Sequence, residues 1–265
     1  MSRTWLFVPG HRPDRFDKAL AAGADRVIVD LEDAVAPDHK APARAALARW
    51  LASTPARVAV RLNAADTAWF ADDLALLDLP GVIAVVLPKS EDPAVLATLA
   101  ARRQGLALVP LIESAAGLAA ARAIAAGPGV ERLAFGHLDF QADLGLRDAS
   151  EDELLPYRCE IVLASRLARI AAPLDGVTAA IDDPETLAAD VARARRLGFG
   201  GKLCIHPRQV AGVRSGFAPA DAEVAWARRV LAAAQQAGGA ALAVDGKMVD
   251  RPVILRAEAI VREAD

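Results

Sequence analysis

One pattern constrains the fold more than any other. Eight short apolar runs, at residues 5–9, 26–31, 57–62, 82–87, 106–112, 132–138, 172–177 and 201–205, alternate with Ala/Arg/Leu-rich segments of helical period. Several runs are apolar on both faces, as strands covered from two sides must be. The helical segments, among them 14–22, 41–51, 94–103, 115–126, 154–170 and 184–197, carry matching punctuation. Asp-Pro opens two of them, at Asp92 and Asp183, and glycine follows three helix ends, at Gly23, Gly105 and Gly198. Strands alternating with helices predict a parallel α/β fold, and the count of eight predicts a (β/α)8 TIM barrel. A doubly wound sheet is the alternative, weakened because no Gly-x-Gly-x-x-Gly follows a run. Spacing is near-regular, with one longer unit around residues 148–157.

On this reading residues 1–219 form the barrel, and residues 220–265 form a C-terminal extension that is not an independent domain. In the extension 220–237 reads as a helix, Gly238-Gly239 breaks it, 244–252 follows, and 253–263 forms a last helix. A barrel does not need this tail to close, so a lid or an oligomerisation arm is expected. The chain of 265 residues is 54% hydrophobic, enough for a large core. Its net charge of −3, with no basic block, gives nucleic acid no electrostatic footprint. Two cysteines, Cys159 and Cys204, lack metal-ligand spacing and fit a reducing compartment. No apolar run approaches the ~20 residues of a membrane span, so a soluble cytoplasmic protein is expected.

The runs end in charge rather than in small turn residues. Asp30-Leu-Glu32-Asp33, Arg61-Leu-Asn63, Pro88-Lys89, Glu113, Asp139, Asp175 and His206 stand at C-terminal strand ends, the rim where barrel enzymes keep their sites. Glu113 and Asp139 end neighbouring runs and have no obvious histidine partner, which fits an oxygen-ligand site for Mg²⁺. Helix capping or a salt bridge is the competing role, and Glu caps poorly. Arg61 lies inside an apolar strand and needs a partner, either a substrate oxygen or a buried ion pair with Asp30 or Glu32. Glu32 and Asp33 suit the holding of metal-bound water, or are simply loop charges. Lys89 and Lys202 are weak Schiff-base candidates, and His206 a weak acid–base candidate. Phe7, Arg12 and Lys18 combine a rim loop with two cations, which suits a phosphorylated ligand.

Eight motifs stand in one order along the chain: Phe7-Val-Pro-Gly-x-Arg-Pro, Asp30-Leu-Glu-Asp-Ala-Val, Val-Arg61-Leu-Asn, Leu-Pro88-Lys89, Leu-Ile-Glu113-Ser-Ala-x-Gly, Phe-Gly-x-x-Asp139-Phe, Cys-Ile-His206-Pro-x-Gln and Gly246-Lys-Met-Val-Asp250. In these the chain resembles the citrate lyase β-subunit-like (CitE-like) proteins of the HpcH/HpaI aldolase superfamily, over nearly its whole length. The resemblance implies a TIM barrel assembled as trimers or hexamers. It also implies a lyase that makes or breaks a carbon–carbon bond in coenzyme A thioesters with Mg²⁺, or alternatively Mn²⁺. By the same likeness Glu113 and Asp139 hold the metal, and Arg61 sits over the thioester enolate oxygen. Phe7, Arg12 and Lys18 hold the coenzyme A nucleotide, and Asp250 lies on a tail that closes over a neighbouring subunit's site. Ser114 departs from the family pattern, where threonine is common, and the chain is shorter than many malyl-CoA lyases.

Overall fold

The computed structural model describes residues 2–147, 149–237 and 242–264. Eight parallel strands close into a barrel in sequence order, with β8 pairing back to β1. They are β1 (Thr4–Pro9), β2 (Arg26–Asp30), β3 (Val58–Arg61), β4 (Val82–Leu87), β5 (Ala107–Ile112), β6 (Ala134–Phe135), β7 (Leu174–Asp175) and β8 (Gly201–Cys204). Between and after them run α1 (Phe16–Ala21), α2 (Lys40–Ser53), α3 (Phe70–Asp73), α4 (Pro93–Arg102), α5 (Ala115–Ala125), α6 (His137–Asp143), α7 (Leu155–Leu167), α8 (Pro184–Leu197) and α9 (Pro207–Phe217). The expected caps are present: Asp92 Oδ1 accepts from Ala94 N at 2.8 Å, and Asp183 Oδ1 from Glu185 N and Thr186 N. Gly198, at φ 98°, ends α8 in the left-handed conformation that glycine enters without a Cβ clash.

Alternate strand residues fill the barrel. Trp5, Ile28, Val86, Val109, Leu111, Leu174 and Leu203 pack there with Ala59, Ala84 and Ala134. The small alanines leave room for the fully buried Trp5. Strand register sets the rim: Pro9 lies beside Asp30, and Asp30 beside Arg61.

Two expected strands are much shorter than predicted, the 132–138 and 172–177 runs giving two residues each. The 132–138 run yields only β6, because His137 begins α6; Asp139 therefore stands on the first turn of a helix rather than at a strand end. An apolar run of this length fits strand or helix equally well by period, and here it serves as both.

Contacts divide the chain into two compact units, Ser2–Arg214 and a second from Ser215 onward. The second contains α10 (Asp221–Ala237), a hairpin of β9 (Leu242–Val244) and β10 (Lys247–Val249), and α11 (Arg251–Ala264). The hairpin turns on Asp245-Gly246, both at positive φ, as a two-residue hairpin turn requires. Ala227, Val230, Val249, Ala257 and Ile260 form this unit's own core. Gly238-Gly239 and Asp148 lie outside the described residues.

Candidate active site

The register of β2 and β3 makes the first contact of the site. Arg61 turns its guanidinium edge onto Asp30: Nε donates to Oδ1 and Nη2 to Oδ2, each at 2.7 Å. Both side chains are buried, so this two-point clamp fixes the guanidinium plane. Phe7, from β1, lies 4.9 Å from the guanidinium carbon by its ring centre. Asp30 also accepts from Glu32 N at 2.8 Å, and Lys40 Nζ donates to the carbonyls of Leu31 and Glu32 at 2.8 and 2.7 Å. The loop after β2 is thus pinned, and it holds Glu32 with Oε2 2.9 Å from Arg61 Nη1. That buried oxygen accepts no hydrogen bond from any described residue.

Glu113 follows β5 directly. Its Oε1 accepts from Lys89 N at 2.7 Å, and Lys89 adopts a left-handed φ of 44°, which costs a non-glycine residue energy. The other side of Glu113 rests on Gly136. A Cβ there would lie 2.5 Å from Glu113 Oε2 and 2.6 Å from its Cβ, so no side chain fits. Asp139 enters from the first turn of α6.

These carboxyls repel one another. Burial, then Glu32 and Asp139, hold the Glu113 carboxyl up to about 8 despite the Lys89 hydrogen bond. Burial also raises Glu32 to about 7, with Asp33 and Asp30 adding to the rise and Arg61 opposing it. Asp139 is raised by burial and by Asp33. Arg61 is held even more firmly protonated than usual: Asp30, Glu32 and Asp33 outweigh the cost of its burial.

A divalent cation fits this donor set. Hard carboxylate oxygens and their mutual repulsion favour an added positive charge, and Glu32 Oε2, though ion-paired with Arg61 at 2.9 Å, accepts no hydrogen bond from any described residue. Among the described residues no three His, Cys, Asp or Glu side chains form a closed metal cage. Mg²⁺ does not need one, because it keeps several waters and takes one or two carboxylates.

Beside this cluster a cavity of about 410 Å³ is lined by Phe7, Pro9, Arg12, Asp14, Arg15, Lys18 and His206, among others. Phe7, Arg12 and Lys18 therefore share one pocket, and Phe7 also touches Arg61. Asp250 belongs to the second unit, where its Oδ1 accepts from Val253 N at 3.2 Å at the start of α11.

Two sequence candidates are placed elsewhere. Asp175 is not a rim group: it is fully buried and paired with Arg158 Nε at 3.0 Å. Lys202 is buried too, donating to Gly176 O at 2.5 Å, which leaves no open amine for a Schiff base. His206 Nδ1 accepts from Arg208 N at 3.2 Å. Sequence reasoning missed Lys40, the left-handed Lys89 backbone and Asp14. Of these only Asp14 left a local signal, in Arg12-Pro13-Asp14.

A closed parallel barrel with such a rim, carboxylates around a clamped arginine and a cationic pocket alongside, is that of a barrel enzyme. The chain belongs to the HpcH/HpaI aldolase/citrate lyase family, whose model matches residues 3–207. It is 40% identical to a citrate lyase subunit beta-like protein of Deinococcus radiodurans, over 98% of this chain and 96% of that one. It is 35% identical to an L-malyl-CoA/beta-methylmalyl-CoA lyase of Cereibacter sphaeroides, over 100% and 95%. Among solved structures, CitE of Mycobacterium tuberculosis in complex with magnesium, acetoacetate and coenzyme A superposes with a TM-score of 0.88 at 38% identity, covering 99% of this chain and 98% of that one.

Proposed function

We propose that the protein is a Mg²⁺-dependent carbon–carbon lyase of the cytoplasm. Its substrate is a short 3-hydroxyacyl-CoA thioester of the malyl-, citramalyl- or citryl-CoA type, cleaved to an acyl-CoA and a 2-oxo acid, or made in the reverse direction. The observation that carries this reading is the carboxylate excess of Glu32, Glu113 and Asp139 beside a clamped Arg61, next to a pocket with Arg12 and Lys18. Held by Glu113 and Asp139, Mg²⁺ supplies Lewis-acid polarisation of the oxo-acid oxygens. Mn²⁺ has the same hard-oxygen preference.

The chain's own groups divide the rest. Phe7, Arg12 and Lys18 bind the coenzyme A nucleotide and so orient the thioester toward the rim. Glu32, directly or through a water it holds, takes the proton of the substrate hydroxyl. As the oxygen becomes a carbonyl, the electron pair of the breaking carbon–carbon bond moves to the thioester as an enolate. Arg61, immobilised by Asp30, stabilises the enolate oxygen without having to reorganise. Asp250, brought by the tail, then protonates the carbon, and in condensation it removes that proton. We assign residues 220–265 to a lid and assembly arm of a homotrimer or hexamer rather than to an independent domain.

A panel of malyl-, citramalyl- and citryl-CoA, assayed with Mg²⁺ for both free coenzyme A and oxo acid, tests the reading. Oxo acid with acyl-CoA supports it. Free coenzyme A without oxo acid makes the protein a thioesterase, and reaction of free oxo acids alone makes it a class II aldolase. Asp250→Asn is expected to abolish turnover while sparing Mg²⁺ binding by calorimetry; full activity in that variant removes Asp250 from the mechanism. Light scattering reports the assembly. Co-purification only with other citrate lyase subunits would favour a carrier-protein-binding role instead.

A further inference from the structure

Arg12 is already occupied by a carboxylate of its own chain. Its Nε donates to Asp14 Oδ1 at 2.9 Å and its Nη2 to Asp14 Oδ2 at 2.8 Å, the forked geometry by which arginine also grips phosphate. The backbone builds this clasp. Arg12 N donates to Pro9 O at 3.0 Å and Arg15 N to Arg12 O at 2.9 Å, and residues Pro13–Arg15 make a 3-10 turn that brings Asp14 back onto Arg12. Both side chains line the cavity that also receives Arg15 and Lys18. Hydrogen bonding from Arg12 lowers the Asp14 carboxyl to about 2, so it is ionised at any physiological pH.

We propose that Asp14 sets the affinity of this pocket, holding the Arg12 fork until a phosphate group of the incoming ligand displaces it. The proposal rests on the reading of the pocket as the coenzyme A nucleotide site. The clasp is partly solvated, with side chains 39% and 57% exposed for Arg12 and Asp14, and an ion pair of that exposure is weak. A phosphate carrying more charge than one carboxylate therefore displaces Asp14 readily. A lone carboxylate, as on a free oxo acid, gains little from the exchange. Asp14 thus lowers affinity for every anion and favours phosphate-bearing ligands over simple acids.

The test is calorimetric titration of coenzyme A into the wild type, Asp14→Ala, Arg12→Gln and the double variant, with melting temperatures to confirm folding. An exposed pair of this kind is weak, so Asp14→Ala is expected to tighten coenzyme A binding by no more than about fivefold. That gain is expected to vanish in the Arg12→Gln background. Glu185→Gln, which removes an exposed acid on α8 outside the pocket, is expected to change nothing. Wild-type binding that Asp14→Ala leaves unchanged or weakens overturns the proposal alone. So does a gain that persists without Arg12, since Asp14 would then act only as a distant charge. Absence of coenzyme A binding in both the wild type and Asp14→Ala overturns the nucleotide-site reading and the proposal with it.

Discussion

Two charge clusters in the barrel unit, each built around a buried ion pair, show opposite behaviour. Around Asp175 the acids Glu151, Asp175 and Asp190 meet Arg158, Arg193 and Lys202, three against three. Burial pushes the Asp175 carboxyl up, but Lys202 and Arg158 outweigh it and leave the group below the ordinary range. Around Arg61 the acids Asp30, Glu32, Asp33, Glu113 and Asp139 face Arg61, Lys40 and the more distant Lys89, five against three among the described residues. Lys40 Nζ donates to backbone carbonyls there. Comparable burial thus gives a lowered Asp175 and a Glu113 near 8. What differs is countercharge. A balanced cluster holds strands and helices together, and an acid-rich one marks where a cation is still to come.

The largest test of this contrast falls on the balanced cluster. Asp175→Ala strands Arg158 and Lys202 without their shared acid, and removing one partner of a buried pair costs about 3–5 kcal/mol. Urea unfolding is expected to show that loss, whereas Glu113→Gln is expected to leave the midpoint unchanged or raise it. If the two variants lose equal stability, the clusters are of one kind and the comparison fails.

Next in size is the response to metal. A ligand that binds only the native state at about 100 times its Kd stabilises by ~2.7 kcal/mol. Mg²⁺ is expected to raise the melting temperature correspondingly at pH 8, where Glu113 is more often ionised, and less at pH 5.5. Glu113→Gln is expected to remove the rise, and Asp175→Asn to keep it. A rise of the same size in Glu113→Gln would place the metal elsewhere.

What was legible in the sequence follows the range of the interaction. Glu113 was visible because an acid at the end of an apolar run is a local signal, and the eight-run alternation carried the barrel in the same way. Asp139 was found, but its place on α6 was not, because the segment from Phe135 to Phe140 fits either period. Asp175 reads as rim charge in the sequence, whereas its side chain is buried in an ion-pair cluster. Arg158, Asp175 and Lys202 come from α7, β7 and β8, and only closure of the barrel brings them together. Lys89 gave no warning of its left-handed backbone, since a lysine after proline marks no such turn. The hairpin before Asp250 carries a local Asp245-Gly246 turn signal between its two short strands.

The smallest predicted effect separates the two clusters by the direction in which pH acts. The Asp175 carboxyl lies lower in the folded than in the unfolded chain, so its contribution is complete above the unfolded value of 3.8 and is lost as acid protonates the folded form. Glu113 runs the other way. Its carboxyl rises from 4.5 to about 8 on folding, so between those values the native state keeps a proton that the unfolded chain has released. Stability of the metal-free protein is therefore expected to fall as pH rises through that window, with Glu32, near 7, acting in the same sense. With relaxation of a partly open rim allowed for, the fall from pH 5 to pH 8 is about 1–2 kcal/mol. Urea midpoints at pH 5, 6.5 and 8 measure it. Glu113→Gln is expected to flatten the slope by removing the larger contributor, and saturating Mg²⁺ to flatten it by pairing with the ionised form. A metal-free wild type equally stable at pH 5 and pH 8, or a Glu113→Gln variant with the full slope, would mean that the rim acids are as well compensated as Asp175, and the excess acid charge that points to a cation would be gone.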